Sequence, residues 1–207
     1  MRDAMGAYAY HAEGVAEERA LVFVFHGTGG TEMQFVPLVR ELMPGAAIVA
    51  PRGDVSEHGA LRFFRRMGEG RYDMADLAAR TAAMAGFVEA QVEAARPSRV
   101  IGLGYSNGAN ILASVIFERP RLFDAAVLMH PLIPWTPEPA PVATRVLITA
   151  GERDPICPPE ETRALEAWLA AQGAPVTSRW HPGGHEIDRS EIGAVAEFLK
   201  SERKEEA

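Results

Sequence analysis

The feature that most constrains this chain is a serine flanked by two glycines between two apolar segments. Val100 to Leu103 predicts a buried strand, and Ile111 to Phe117 predicts a helix. The residues between them, Gly104-Tyr105-Ser106-Asn107-Gly108, have the G-x-S-x-G pattern in a strand–turn–helix context. Such a sharp turn strains the backbone of the serine, and glycines two residues away leave it room. The pattern predicts a nucleophilic Ser106; the alternative is a glycine-rich turn that only packs a helix on a sheet.

Composition narrows the range of partners. The 207 residues suffice for one α/β domain with a sizeable core, and the net charge of −7 argues against nucleic acid or an anionic membrane as a partner. The single cysteine, Cys157, cannot form an intramolecular disulfide and fits a reducing compartment. Met1 to Gly14 lacks the apolar core of a secretory signal, and the longest strongly apolar run, Ala20 to Phe25, is too short to span a membrane. We therefore expect a soluble, cytoplasmic protein.

Apolar runs alternate with amphipathic segments along the chain. The predicted strands are 20–25, 46–50, 100–103, 125–129, 145–150 and 176–180, with an edge strand near 7–10. The predicted helices are 32–42, 73–94, 111–117, 160–171 and one that begins near 188 with an Asp188/Glu191 capping box. This alternation predicts an α/β fold with a mostly parallel central sheet and helices on both faces. We expect a single domain over 1–207, with 1–19 as an N-terminal segment and 201–207 as a frayed charged tail.

The loops after the predicted strands hold the residues that a serine nucleophile requires. A serine hydroxyl needs a base, and the base needs an acid that orients it. Asp154 follows the strand at 145–150, and His185 follows the last strand, so the chain order is serine, acid, base. We predict Ser106, Asp154 and His185 as a catalytic triad. Glu152 is the rival acid and His181 the rival base.

Acyl transfer also needs hydrogen-bond donors for the oxyanion that develops on the carbonyl oxygen. We predict the backbone N–H of Asn107, which follows the nucleophile, as one donor. The other is the N–H of Thr28, in the loop His26-Gly27-Thr28-Gly29-Gly30 after the first central strand. His26 is expected to fix this loop through its ring nitrogens.

Four motifs together resemble a known group of enzymes. They are His26-Gly27-Thr28-Gly29-Gly30, Gly104-Tyr105-Ser106-Asn107-Gly108, Gly151-Glu152-Arg153-Asp154-Pro155 and Gly184-His185. From Leu21 to Leu199 the chain resembles the small phospholipase/carboxylesterase branch of the α/β-hydrolase superfamily. The segment Arg62-Phe63-Phe64-Arg65-Arg66 with Tyr72-Asp73 is similar to bacterial carboxylesterases of that branch. The resemblance implies an α/β-hydrolase fold without a large cap domain, and a cofactor-free serine hydrolase of carboxylic or thioester bonds that is a monomer or homodimer.

Two positions separate the chain from neighbouring groups. Asn107 stands where acyl-protein thioesterases usually carry glutamine, which argues against that assignment. Dienelactone hydrolases use a cysteine nucleophile, so Ser106 argues against that group. We expect a carboxylesterase that cleaves carboxylic esters with small or medium acyl groups. The alternatives are a thioesterase or lysophospholipase of the same branch, or a non-catalytic ligand-binding protein on this fold.

The segment 52–72 is the strongest candidate for a lid and for one wall of the substrate pocket. We predict that the pocket is lined by Phe63, Phe64 and Met67 with Met33, Phe35, Leu132 and Trp135 opposite; the alternative is that these residues only pack the loop down. Arg62, Arg65 and Arg66 either meet an acidic substrate or form an ion-paired face. Cys157 is expected to be a buried small residue under the acid loop. The spacing of histidines, cysteines and acidic residues predicts no metal site.

Overall fold

A seven-stranded sheet forms the centre of the computed structural model, which describes residues 6–14 and 19–204, with side chains as far as 200. In chain order the strands are β1 (Tyr10–Glu13), β2 (Ala20–Phe25), β3 (Ala47–Pro51), β4 (Val55–Glu57), β5 (Ala60–Arg62), β6 (Arg66–Gly68), β7 (Arg71–Tyr72), β8 (Arg99–Tyr105), β9 (Ala125–Met129), β10 (Arg145–Gly151) and β11 (Val176–His181). The helices are α1 (Val36–Leu42), α2 (Met74–Ala95), α3 (Asn107–Glu118), α4 (Pro159–Ala171) and α5 (Arg189–Lys204). The large sheet has the order β1-β3-β2-β8-β9-β10-β11.

All neighbouring strands of the large sheet are parallel except the edge pair β1 and β3. The predicted mostly parallel sheet is confirmed. Strand β8 lies in the middle, between β2 and β9, and its C-terminal end pairs Gly104 with Phe25 and Tyr105 with Met129. The turn that follows β8 therefore opens at the centre of the C-terminal edge of the sheet, where ligands bind in open α/β sheets.

Helices cover both faces of the sheet, as the alternation of elements predicts. Along β2, Phe23 and Phe25 pack toward the face that carries α2, α3 and α4, whereas Val22 and Val24 pack toward the face that carries α1 and α5. This alternation follows from the two-residue period of a strand. Each of these fully buried side chains contributes about 1.5–3 kcal/mol through removal of apolar surface from water. In the described part of the chain, no cap domain covers the C-terminal edge of the sheet.

Helix α5 begins with the predicted capping box. The Asp188 N–H donates to Glu191 Oε2 at 2.6 Å, and Asp188 Oδ1 accepts the Ser190 N–H at 2.7 Å. The carboxylate of Glu191 is thereby turned back under the sheet edge and is fully buried. None of the helices in the described residues is long and apolar enough to cross a bilayer.

Several boundaries differ from the sequence prediction, and among them α1 begins at Val36 rather than at 32 and α3 at Asn107 rather than at 111. The edge strand is 10–13 rather than 7–10, and α5 continues to Lys204 rather than ending before a tail at 201. The segment 52–72 is not irregular but holds the hairpins β4–β5 and β6–β7. The first hairpin turns at His58 and Gly59, whose φ values of 50° and 89° suit a two-residue hairpin loop, although histidine is not a typical turn residue there. Residues 1–5, 15–18 and 205–207, part of the predicted terminal segments, lie outside the described residues.

Candidate active site

Ser106 lies at the turn between β8 and α3 with φ 52° and ψ −118°, a strained backbone conformation for a residue with a side chain. The flanking glycines are needed for close packing rather than for their own backbone angles. A Cβ at Gly104 would lie 2.6 Å from the Gly108 oxygen, and a Cβ at Gly108 would collide with the backbone oxygens of Phe25 and His26. The tight approach of β8, α3 and β2 therefore excludes side chains there, and the strain is carried by the serine.

His185 and Asp154 come together with Ser106. His185 Nε2 lies 2.9 Å from Ser106 Oγ, and His185 Nδ1 lies 2.7 Å from Asp154 Oδ2. The loop that carries His185 is held by Tyr105, whose hydroxyl donates to the His185 backbone oxygen at 2.8 Å and whose ring packs against the imidazole. The geometry allows a proton to pass from the serine hydroxyl to the ring.

Asp154 is buried and accepts four hydrogen bonds. Its Oδ1 accepts the backbone N–H groups of Ile156 and Cys157, at 2.8 and 2.9 Å. Its Oδ2 accepts from the Nδ1 atoms of His185 and His130. Burial alone would raise the pKa of this carboxyl, but these donors hold the pKa well below its usual range. Asp154 is therefore an ionised acceptor that requires a proton on Nδ1 of both histidines.

His130 is a member of the site that no sequence motif singles out. It follows β9 directly and is fully buried, with φ 50°. Its Nδ1 lies 2.9 Å from Asp154 Oδ2, and its Nε2 lies 2.9 Å from Glu191 Oε1. Burial disfavours the charged ring, but the contacts with Asp154 and Glu191 outweigh it and raise the pKa of His130 to about 9. The signal that could have found it is its position at a strand end, which it shares with Ser106, Asp154 and His185.

The rival residues lie elsewhere. Glu152 is exposed, and its backbone N–H donates to the His181 oxygen. His181 is buried with its Nε2 3.3 Å from Glu191 Oε2. The structure therefore brings Asp154 and His185, not the two rivals, to Ser106.

Two clusters among the described residues have side chains of the types that ligate metals: His130, Asp154 and His185, and His130, His181 and Glu191. In the first cluster both histidine Nδ1 atoms carry the protons that Asp154 accepts. In the second, the Gly183 N–H donates to His181 Nδ1 at 3.1 Å, so the ring proton lies on Nε2, the atom that faces Glu191. A protonated nitrogen has no lone pair for a metal, so this hydrogen bonding favours proton-linked contacts over coordination in both clusters.

The predicted oxyanion loop is tied to the segment 52–72. His26 Nδ1 donates to the Gly27 oxygen at 2.7 Å, and its Nε2 accepts the Gly53 N–H at 2.9 Å, so His26 fixes the loop through both ring nitrogens as predicted. Burial lowers the pKa of His26, which keeps the ring neutral for this role. The Arg62 guanidinium donates to Thr28 Oγ1 at 2.9 Å. Thr28 and Asn107 both line the pocket beside Ser106 and His185.

A pocket of about 350 Å³ opens at Ser106. It is lined by Thr28, Arg62, Arg66, Glu69, Gly70, Tyr72, Tyr105, Ser106, Asn107, Asn110, Leu132, Ile156, Cys157 and His185. Of the seven residues predicted to line it, the structure places Leu132 in the wall. The pocket is therefore more polar than the sequence prediction of an aromatic acyl pocket.

The other six predictions for the pocket wall were wrong. Phe63 and Phe64 are fully buried in the core, where Phe63 packs on Phe25 and Phe64 packs on Tyr72. This aromatic pair lies between the two hairpins and faces inward, whereas a lid would face the pocket.

The remaining four residues lie away from the pocket for three reasons. Phe35 packs on Tyr105 on the α1 side of the sheet. Met33 and Met67 are exposed to solvent, and Trp135 lines a separate groove.

Segment 52–72 is a fixed wall rather than an open loop. The Phe63 N–H donates to Asn107 Oδ1 at 2.7 Å, and the Gly29 N–H donates to the Leu61 oxygen at 2.9 Å. Arg66 Nε binds both oxygens of Glu57 at 3.0 Å. Arg65 binds Asp76, with Nε 3.3 Å from Oδ1, and Arg62 Nη1 lies 3.4 Å from Glu57 Oε2. All three arginines are therefore ion-paired, although Arg62 and Arg66 also line the pocket.

The polar end of the pocket is organised by Tyr72 and Asn110, neither of which the sequence singles out for this role. Asn110 Nδ2 donates to the Tyr72 hydroxyl at 2.9 Å, and that hydroxyl donates to the Leu132 oxygen at 2.9 Å. Asn110 Oδ1 accepts the Leu132 N–H at 2.7 Å.

Cys157 is buried as predicted, and its Sγ donates to the His130 oxygen at 3.2 Å. Burial raises the pKa of this thiol far above its usual range, which keeps it protonated and unreactive.

Comparison with known proteins places this chain among hydrolases. The family model described as the Dienelactone hydrolase family matches residues 5–197. The candidate hydrolase MhqD from Bacillus subtilis strain 168 is 37% identical over 184 residues, which cover 87% of this chain and 92% of that protein. Among solved structures, the protein Atu2452 of unknown function from Agrobacterium tumefaciens strain C58 is 56% identical with a TM-score of 0.92, over 96% of this chain and 98% of that one. A carboxylesterase from Bacillus cereus is 33% identical with a TM-score of 0.89, over 95% of each chain.

Proposed function

The chain belongs to the dienelactone hydrolase family of the α/β-hydrolase superfamily, and on that premise we propose that it is a serine hydrolase that cleaves carboxylic esters of small substrates. The expectation that Ser106 argues against this family was wrong, because the family model matches residues 5–197 of this chain, which include Ser106 at the turn between β8 and α3. The observation that carries the proposal is the unbroken contact from Ser106 Oγ through His185 to Asp154, at 2.9 and 2.7 Å.

The proposed reaction proceeds in two steps through a covalent acyl-enzyme. His185 Nε2 takes the proton as Ser106 Oγ attacks the acyl carbon, and Asp154 stabilises the imidazolium that results. The backbone N–H groups of Thr28 and Asn107 bind the oxyanion, and the ring returns its proton to the departing alcohol. His185 then activates a water, which attacks the acyl carbon and releases the acid and the serine.

The pocket supports a small substrate with polar groups. Its volume of about 350 Å³ is at the low end of the range of about 300–1,000 Å³ that is typical of small-molecule sites. Polar groups from Arg62, Arg66, Glu69 and Tyr72 line it near Ser106. A long acyl chain, as in a lysophospholipid, would extend beyond a pocket of this volume. We therefore rank short carboxylic esters ahead of thioesters and lysophospholipids.

The test combines covalent labelling with turnover. A fluorophosphonate should label the wild-type protein, as measured by the mass shift of the intact chain. Ser106→Ala should abolish the label and lower kcat for p-nitrophenyl acetate by about 10⁶. The matched control is Ser178→Ala, at an exposed serine on β11 that does not line the pocket, and it should keep both the label and the turnover. A Ser106→Ala protein that still turns over ester at the wild-type rate would contradict the proposal.

A second series separates the ester, thioester and ligand-binding alternatives. Matched acetyl, octanoyl and palmitoyl esters and thioesters should show the highest kcat/KM for the acetyl ester. A preference for palmitoyl substrates would assign the chain to the lysophospholipase or thioesterase alternative. A wild-type protein that takes no fluorophosphonate label and turns over none of these substrates would support the non-catalytic alternative instead.

The proposed cytoplasmic location and the monomeric or homodimeric state rest on the sequence and its resemblance. Cell fractionation tests the first and light scattering of the purified protein tests the second.

A further inference from the structure

A row of buried side chains continues from Asp154 away from the serine. His130 lies between Asp154 Oδ2 and Glu191 Oε1, at 2.9 Å from each, and Glu191 Oε2 lies 3.3 Å from His181 Nε2. His130 and Glu191 are fully buried, and His181 is 3% exposed. The proposed ester hydrolysis assigns no role to these residues, although the row begins on the same carboxylate oxygen that holds His185.

The hydrogen-bond partners determine where the protons lie in this row. Ionised Asp154 accepts at Oδ2, so His130 Nδ1 carries a proton. Glu191 lies in the first turn of α5 and its Oε2 accepts the Asp188 N–H at 2.6 Å, both of which favour its ionised form. A neutral His130 would leave the buried Glu191 carboxylate without a positive charge beside it, although its Oε1 lies only 2.9 Å from Nε2. A second proton on Nε2 makes this contact an ion pair, although the N–H is not well aligned for a hydrogen bond.

We propose that His130 is a positioning residue with a fixed positive charge, which holds the Asp154 carboxylate against His185 and sets the pH range in which His185 acts as the base. The proposal rests on the proposed function. The titratable groups that face His130 come from every element around it: Tyr105 of β8, Asp154 and Cys157 of the β10–α4 loop, His181 of β11, His185 of the β11–α5 loop and Glu191 of α5. Two of these, Asp154 and Glu191, supply the negative charge that balances it.

The expected effect on catalysis follows from the shared oxygen. His130 and His185 both bind Asp154 Oδ2, and their ring centroids are 5.1 Å apart. A permanent positive charge at His130 offsets part of the Asp154 charge that would otherwise stabilise a protonated His185. His185 is therefore available as a base at lower pH than it would be beside an uncompensated carboxylate. The positive charge at His130 therefore extends the proposed hydrolase activity to lower pH.

The test removes both charges of the pair while keeping its hydrogen-bonding shape. In His130→Asn with Glu191→Gln, the asparagine amide replaces the Nδ1 donor to Asp154, and no buried charge is left unpaired. The pH at which kcat/KM falls to half on the acid side should rise by about one unit, because the positive charge lost at about 5 Å from His185 outweighs the negative charge of Glu191, which lies on the other side of the His130 ring. His11→Asn with Glu13→Gln changes a partly exposed histidine–glutamate pair on the edge strand β1, with His11 Nε2 2.9 Å from Glu13 Oε2, and should leave this midpoint in place.

A purely structural role would lower kcat at all pH values without moving the midpoint, and that result would overturn the proposal. A second measurement needs no variant. In ¹⁵N-histidine NMR of the wild-type protein at pH 7, His130 should show protons on both ring nitrogens, and a neutral ring would overturn the proposal. Because the NMR measurement needs no substrate, a charged His130 in a protein without esterase activity would refute only the proposed function. An active esterase with a neutral His130 would refute only this inference.

Discussion

Replacing Asp154 by asparagine tests the proposed site at the carboxylate that accepts four hydrogen bonds. The two backbone N–H groups on Oδ1 are fixed by the loop, so the amide oxygen of the variant should take that position. The amide NH₂ would then face the Nδ1 atoms of His185 and His130, where the carboxylate accepted two protons. His185 could avoid this clash by moving its proton to Nε2, the atom 2.9 Å from Ser106 Oγ. The base would then be lost although the residues remain in place.

The expected loss in kcat is about 10⁴, which corresponds to about 5 kcal/mol of transition-state stabilisation. A stability cost should accompany it, because His130 loses one of its two buried anionic partners. Removal of one member of a buried ion pair costs about 3–5 kcal/mol, or roughly 10 °C in Tm for a chain of this size. Stopped-flow hydrolysis of p-nitrophenyl acetate measures the first effect and calorimetry the second.

Glu152→Gln is the matched control, since this acid lies two residues earlier on the same loop and is exposed. It should change kcat by less than about twofold and leave Tm within about 1 °C. A loss of less than tenfold in Asp154→Asn would refute the assignment of the acid. A large loss in Glu152→Gln would then move the acid to that residue.

Two further predictions concern stability. Asn107→Ala should lower the free energy of unfolding by about 1–3 kcal/mol and raise KM, because the buried Phe63 N–H loses its acceptor and the pocket wall loosens; an unchanged urea midpoint and KM would contradict this. His130 contributes stability through a pKa that its contacts raise from 6.5 to about 9, so this contribution is complete below pH 6.5 and is lost as pH rises through 9. Urea unfolding should show a decrease of about 3 kcal/mol between pH 6.5 and 9.5, and a constant free energy over that range would refute the charged assignment.

The parts of the fold that the sequence predicts well are those set by local pattern. The strand 20–25 has the predicted limits, because six consecutive apolar residues identify a strand buried on both faces. Ser106, Asp154 and His185 could be named because each follows such a strand, and parallel strands end at one edge of the sheet. That inference needs the topology but not the side-chain directions.

The pocket wall could not be predicted in the same way. Whether Phe63 faces the substrate or the core depends on the hairpin register of the segment 52–72, and its first turn uses His58-Gly59 in place of a typical turn pair. His130 could not be predicted either. The sequence pattern identifies its partner Glu191 only as a helix-capping residue, and its other partner, Asp154, lies 24 residues away in the sequence. Burial of a paired charge is a tertiary property that no short motif displays.

The anchoring of the segment 52–72 also limits how this chain could acquire a new substrate. The segment forms most of one pocket wall, so an exchange of this segment with that of a relative would be the obvious way to change the substrate. The segment is fastened to the catalytic framework by four hydrogen-bonded pairs: Gly53 with His26, Leu61 with Gly29, Arg62 with Thr28 and Phe63 with Asn107. A transplanted segment that lacks these hydrogen bonds would disturb the oxyanion loop together with the pocket. Specificity and rate are thus inherited as one unit here, and laboratory evolution should find paired changes across these four contacts more often than isolated changes within the hairpins.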